Sequence, residues 1–261
     1  MAGSDCSGGA GIQADLKAFS ANETFGMSVI TSVVAENTTR VLSVFNVPVE
    51  EIQKQIDAVF EDIHVDAVKL GMLPTAEIIS AVADKLNEYK PSIIVCDPVM
   101  VATSGDALSE GGTVSTMREN LFPIVTLLTP NIPEAEAISG LEIKNENHME
   151  KAARIIMDMG VKNVLVKGGH LTGDAVDYLC TPEGVHKLAC KRVDSSNTHG
   201  TGCTLSSAIT ANLAHGMDML SAVTKAKNYI TEAIEKSFTV GKGHSPVNHF
   251  YDYYDLKGTV L

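Results

Sequence analysis

The chain has no tryptophan, and aromatic residues make up only 5% of its 261 residues. So sparse an aromatic complement leaves little from which to build a base-stacking surface. Basic residues are scarce too: 20 Lys and Arg against 32 Asp and Glu leave a formal net charge of −12. That field disfavours nucleic acid and anionic membrane as partners, so an anionic substrate must be attracted by local groups. No Cys-x-x-Cys pair occurs among the five cysteines, Cys6, Cys96, Cys180, Cys190 and Cys203. Their odd number suits a reducing compartment and gives no zinc signature. No signal peptide, transmembrane run or lipidation motif is evident, and a cytoplasmic location is the expectation. The phosphate-loop motif G-x-x-x-x-G-K-[ST] is missing, as are the protein-kinase and serine-hydrolase signatures. Without a linker, low-complexity tract or repeat, the expectation is one domain over residues 1–261.

What is present is an alternation of short apolar runs with helical patterns. The runs are Met27–Ala35, Ala67–Leu70, Ile93–Cys96, Ile124–Leu128 and Val164–Val166. Glu50–Ile63, Thr75–Tyr89, Gly111–Leu121, Pro133–Ser139 and Met149–Met159 lie between or after them with roughly helical spacing. This pattern predicts an α/β fold, a mostly parallel sheet with helices on both faces. Val176–Leu179 and Val185–Val193 read as a late antiparallel hairpin. Helices over Thr201–His215 and Leu220–Ser237 follow. Most strands end in polar or glycine-rich punctuation, and ligands in such sheets bind outside the carboxyl ends of the strands. One sheet edge is therefore expected to gather Glu36, Asp97, Asn131, Lys167 and the helix start at Cys203.

The segment Asn197-Thr198-His199-Gly200-Thr201-Gly202-Cys203 opens the first of those late helices. Its small residues, free N–H groups and positive dipole end favour an anion. A thiol in that first turn is expected to have a lowered pKa and to serve as a base or nucleophile. A glycine turn before a core helix explains the same residues equally well. Asn131-Ile132-Pro133-Glu134 reads first as a capping box, and second as a carboxylate near a magnesium-bound phosphate. Asp97 is a turn residue or an electrostatic or metal-linked group. Lys167, at a strand end, is a solvated cation or a neutraliser of a transferring phosphoryl group. Gly9-Ala10-Gly11-Ile12-Gln13-Ala14 matches the dinucleotide fingerprint, with Glu36 as the ribose acid. That rival predicts an oxidoreductase, but only eight residues precede Gly9. It also assigns no role to the Cys203 segment.

Taken in order, these segments resemble one family. Ala2-Gly3-Ser4-Asp5 with Ser7 to Lys17, Gly71-Met72-Leu73, Asp97-Pro98-Val99-Met100, Thr129 to Ala135, Val166 to His170, Asn197 to Thr204 and Gly241 to His249 are similar to the hydroxymethylpyrimidine/phosphomethylpyrimidine kinases. These belong to the ribokinase-like superfamily. The resemblance implies a three-layer α/β/α sandwich around a central, mostly parallel sheet. It implies ATP-dependent phosphorylation of 4-amino-5-hydroxymethyl-2-methylpyrimidine and then of its monophosphate, for thiamine synthesis. By the same resemblance Cys203 is the base, and Gly200, Thr201, Gly202 and the Cys203 backbone form the anion hole. Lys167, Asn131 and Thr198 bind ATP, and Asp97 and Glu134 organise Mg²⁺. Gly3, Asp5, Met72, Val99 and Glu36 line the pyrimidine pocket. Similar proteins are commonly homodimers.

Two departures stand out. The family places a full strand before Ala2, where this sequence has only Met1, so the chain is expected to start short and leave backbone groups unpaired. Glu36 stands where such kinases usually carry Gln. A Gln amide both donates and accepts, whereas an ionised Glu only accepts. Either Glu36 or the pyrimidine ring nitrogen must then hold a proton. A pyridoxal kinase is the nearest rival, and a catalytically silent pyrimidine-binding module is another. The segment Ala102–Asp106 is expected to be a mobile flap.

Overall fold

The computed structural model describes residues 1–100, 112–169 and 175–253; the expected flap at Ala102–Asp106 lies outside them. Six strands form one sheet: β3 (Val68–Leu70), β4 (Ile94–Cys96), β5 (Leu127–Leu128), β6 (Asn163–Val166), β7 (Ala175–Thr181) and β8 (Gly184–Cys190), in that spatial order. The first four run parallel, and β7 and β8 add an antiparallel hairpin. The strands β1 (Ser32–Asn37) and β2 (Arg40–Asn46) pair only with each other, as a separate two-stranded sheet.

The pleat divides the core into two layers. Leu70, Ile94, Cys96, Leu128, Val164 and Val166 face one way. They meet apolar residues of α2 (Val49–Phe60), α3 (Ala76–Tyr89) and α6 (Glu146–Asp158), among them Ile52, Ile79 and Met149. The alternate residues Val95, Leu127, Leu165 and Leu179 meet α7 (Thr201–Ala214) and α8 (Met219–Glu235) on the opposite face. Each fully buried Leu or Ile contributes about 1.5–3 kcal/mol relative to exposure, so both faces hold the sheet in place. This is the three-layer α/β/α architecture expected of the ribokinase-like superfamily.

Helix starts follow local chemistry. Thr75, Asn145 and Asp218 each accept a backbone N–H through the side chain and cap α3, α6 and α8. Asn131 and Glu134 complete the capping box of α5 (Ile132–Ser139). Neither α7 nor α1 (Gly11–Ala21) has a side-chain cap.

The structure corrects three expectations. The run Met27–Ala35 is not a strand of the main sheet: only Ser32–Asn37 is extended, and it pairs with β2, which the apolar pattern did not mark. The run Ile124–Leu128 shrinks to Leu127–Leu128, because Pro123 sits in a 3-10 turn over Phe122–Ile124. The helix over Gly111–Leu121 is a short α4 (Thr113–Thr116) continued by a π-helical turn, Met117–Leu121. At the N-terminal end, Met1 and Ala2 form a short rung. The Met1 amine donates to Lys69 O at 2.8 Å and Gly71 N–H to Met1 O at 2.9 Å. Ala2 N–H donates to Val29 O at 3.1 Å. Two residues thus link the β3 edge to the start of the β1–β2 hairpin.

Candidate active site

The parallel strands end together, and the residues that follow them meet at one edge of the sheet. Asp97 follows β4, Asn131 lies just past β5, and Lys167 follows β6. Lys167 Nζ donates to Asp97 Oδ1 at 2.7 Å, and Thr129 Oγ1 donates to the same oxygen at 3.2 Å. Burial works against the Lys167 charge, but Asp97 and Glu134 outweigh it and hold the ammonium above the usual lysine range. Glu134 Oε2 accepts the Asn131 N–H at 2.8 Å, so the capping-box reading holds. Burial and the neighbouring Asp97 charge push Glu134 up to about 7, against the pull of Lys167.

The start of α7 faces this group. Gly200 has φ +74°, in the left-handed region, and a Cβ there would lie 1.8 Å from Gly9 O. Only glycine meets both conditions; the Thr201 N–H closes the turn on Thr198 O at 3.2 Å, and no side chain caps the amides that follow. A Cβ built on Gly202 would lie 3.2 Å from Asp97 Oδ2 and 3.3 Å from Lys167 Nζ. The uncapped helix start, one cation and one carboxylate oxygen therefore share a small volume.

Cys203 sits in that first turn, partly buried. The lowered thiol pKa expected there is not found. Burial pushes the thiol up to about 11, and Lys69 and the Gly11 backbone lower it too little to compensate. Beneath it, Asp15 Oδ1 accepts Lys69 Nζ and Ser207 Oγ, each at 2.8 Å, tying α1, β3 and α7 together.

Asp5 was expected in the pocket lining. It is fully buried behind the lining, and its carboxylate accepts the N–H groups of Ser7 at 2.7 Å, Gly9 at 2.9 Å and Ala10 at 2.7 Å. His199 Nε2 lies 2.9 Å from Asp5 Oδ2. Burial opposes ionisation of Asp5, but the His199, Ser7 and Ala10 hydrogen bonds prevail and hold it well below the usual carboxylate range. These contacts also dispose of the dinucleotide reading. The amides that would grip a pyrophosphate are taken by Asp5, and Ile12 N–H by Gly3 O at 2.9 Å. The carboxylate oxygens of Asp5 and Glu36 and a ring nitrogen of His199 lie within 4.8 Å of one another. Burial first, and the Asp5 charge second, push Glu36 up to about 7. Glu36 reaches the site from the separate hairpin, not from the main sheet edge.

One cavity of about 810 Å³ joins these groups. Gly3, Glu36, Met72 and Val99 line one end, with Cys203 and the residues Gly200, Thr201 and Gly202 in its wall. Asp97, Asn131, Glu134, Lys167 and Thr198 line it as well. The far end is bounded by Cys190 to Val193 and by Ile230, Thr231 and Ile234 of α8. The Gly241–His244 loop does not line this cavity: Gly243 N–H and His244 N–H bond to Thr38 in the β1–β2 turn. Sequence reasoning gave no role to His199, Asp15, Lys69, Asp177 or Lys227.

Comparison with known proteins settles the family. The model of the phosphomethylpyrimidine kinase family matches residues 5–248. The chain belongs to that family. It is 43% identical over 255 residues to the hydroxymethylpyrimidine/phosphomethylpyrimidine kinase of Haemophilus influenzae, covering 96% of this chain and 95% of that one. It is 49% identical over 258 residues to the thiamine biosynthesis bifunctional protein ThiED of Geobacter sulfurreducens. That match covers 98% of this chain and about half, 53%, of the relative. The structure of Bacillus subtilis pyridoxal kinase in complex with ADP superposes with a TM-score of 0.89 at 39% identity, covering 95% of each chain. Family membership makes the chain a phosphotransferase.

Proposed function

We propose that the protein transfers the γ-phosphoryl group of ATP to the hydroxymethyl oxygen of 4-amino-5-hydroxymethyl-2-methylpyrimidine, and then a second phosphoryl group to the monophosphate. The observation that carries this reading is the convergence of the open α7 start, Lys167 and Asp97 around Gly202. Phosphoryl transfer asks a protein mainly for positioning and charge stabilisation, and this cluster offers both. Lys167, Asn131 and Thr198 hold ATP phosphates. The amides of Gly200, Gly202 and Cys203 face the transferring group; that of Thr201, expected among them, is taken by Thr198 O at 3.2 Å. In the first transfer the substrate oxygen bonds to phosphorus, the bridging oxygen of ATP leaves, and the hydroxyl proton passes to the Cys203 thiolate.

The donor set fits Mg²⁺. Asp97 gives Oδ1 to Lys167 and Thr129, while Oδ2 faces Gly202. Mg²⁺ keeps most of its waters and asks for one or two carboxylates. Asp97 and Glu134 would hold the ion, which would neutralise charge on the phosphate oxygens.

Glu36 reads the aminopyrimidine. A protonated carboxyl donates to the ring nitrogen and accepts from the 4-amino group, as a Gln amide does. The elevated Glu36 pKa supports a carboxyl that carries this proton near neutrality. The similarity to pyridoxal kinase, together with Glu36, makes pyridoxal the substrate to compare directly. We further propose a homodimer in a reducing cytoplasm. Phe45, Leu42 and Val33 are 67%, 58% and 52% exposed on the β1–β2 hairpin, and the five cysteines are unpaired. No helix among the described residues is long and apolar enough to cross a membrane. The test is ATP consumption with Mg²⁺ and each candidate substrate in turn.

A further inference from the structure

The reaction as proposed leaves one buried ion pair without a task. Asp177, in β7, and Lys227, in α8, are 6% and 7% exposed, and their carboxylate and ammonium are in direct contact. Both line the far half of the active-site cavity. Burying two charges is costly, and apolar residues of similar volume are often neutral or stabilising in their place. The pair is therefore worth reading for a second function, and the other carboxylate oxygen supplies one. Asp177 Oδ1 accepts the N–H of Gly168 at 2.9 Å, while Oδ2 takes Lys227.

Gly168 is the residue after Lys167. Its backbone lies hard against β7, where a Cβ would stand 1.8 Å from Val176 O. The three described residues that open the turn are each pinned. Lys167 N–H donates to Pro130 O at 2.9 Å, Gly168 N–H to Asp177, and Arg192 donates to Gly169 O at 2.8 Å. Of these three anchors, only the one at Gly168 is charge-assisted on its acceptor and neutralised from behind. Such a bond is about twice as strong as one between neutral groups; the Arg192 bond is charge-assisted too, but through its donor. Its loss would free the turn that aims the Lys167 ammonium at Asp97.

We infer that Asp177 and Lys227 are positioning residues for the nucleotide. Lys227 fixes the Asp177 carboxylate, Asp177 fixes Gly168, and Gly168 sets the direction from which Lys167 meets the ATP phosphates. This inference rests on the reading of the cavity as an ATP site. It predicts an effect on ATP and not on the aminopyrimidine, whose end of the cavity lies with Glu36 and Met72.

The test compares the wild-type protein with Lys227→Met, Lys227→Arg, Asp177→Asn and the neutral double variant Asp177→Asn/Lys227→Met. Kinetics are measured against each substrate separately, alongside hydrogen exchange of the segment 163–169. Lys227→Met and Asp177→Asn are expected to raise KM for ATP about tenfold, a loss of about 1.4 kcal/mol of binding. KM for the aminopyrimidine is expected to stay within about twofold. Lys227→Arg recovers most of the loss. Exchange at Gly168 accelerates in Lys227→Met, and in the double variant if single changes fail to fold. Unchanged exchange at Gly168 in folded variants overturns the inference. So does an equal loss for both substrates that tracks a lowered Tm. ATP binding lost in Lys227→Met but kept in Asp177→Asn also overturns it, because Lys227 would then be touching the nucleotide itself. Failure of the wild-type protein to turn over ATP would count against the kinase reading, whereas the exchange result at Gly168 stands apart from it.

Discussion

Cys203 and Glu36 pull in opposite directions with pH. The Cys203 thiol is pushed up to about 11, so at neutral pH it is mostly protonated; if it is the base proposed above, kcat for the pyrimidine alcohol should rise as pH climbs from 7 to 9. Glu36 is pushed up to about 7, so its proton is lost above that pH, and KM for the aminopyrimidine should rise there. Glu36→Gln should flatten the KM profile and leave the kcat profile alone. A KM profile unchanged by Glu36→Gln would remove Glu36 from substrate reading. Cys203→Ala separates the two transfers. The alcohol must lose a proton, while a phosphate oxygen is already deprotonated at neutral pH. The variant should lose about 10²–10⁴-fold in kcat on the alcohol, the usual worth of a general base, and far less on the monophosphate. Equal losses on both would count against Cys203 as the base, since Ala keeps the backbone amide.

At the scale of elements, the two glycine-rich turns depend on each other. Gly200→Ala places a side chain at φ +74° and within 1.8 Å of Gly9 O. It should cost about 2–4 kcal/mol in urea unfolding, because the strain and the collision cannot both relax. Asn131→Ala removes the cap of α5 and should cost about 0.5–2 kcal/mol of stability. The strands β3, β4 and β6 were legible because they are buried on both faces and read as unbroken apolar runs. The β2 strand was not, since four consecutive residues, Leu42 to Phe45, face solvent and no alternation survives. Strand-end punctuation at Asp97, Asn131 and Lys167 pointed to the site. The pairs Asp15–Lys69 and Asp177–Lys227 stayed hidden, because their partners lie 54 and 50 residues apart. Each member also sits within a strand or helix that reads as ordinary core.

At the scale of the whole molecule, two separate sheets contribute to one cavity: the ends of the six-stranded sheet bring Asp97 and Lys167, and the hairpin brings Glu36. The hairpin also carries the exposed Phe45, Leu42 and Val33. If that face joins two copies, Phe45→Glu should yield a monomer by light scattering and loosen the pyrimidine end of the site. A wild-type protein that is already monomeric would contradict the homodimer. The helix start at Gly200 to Cys203 was legible from sequence as a glycine turn opening a buried helix, but the state of its thiol was not. Only the fold shows that burial outweighs Lys69 and the Gly11 backbone at the Cys203 thiol.

The central claim is two successive phosphoryl transfers to one aminopyrimidine. ATP consumption with Mg²⁺ should be followed with hydroxymethylpyrimidine, its monophosphate and pyridoxal side by side, and the products weighed by mass spectrometry. The account predicts a monophosphate that is then converted to the diphosphate, with pyridoxal a poorer substrate. A single transfer, or a preference for pyridoxal, would contradict it and would assign Glu36 to a different ring.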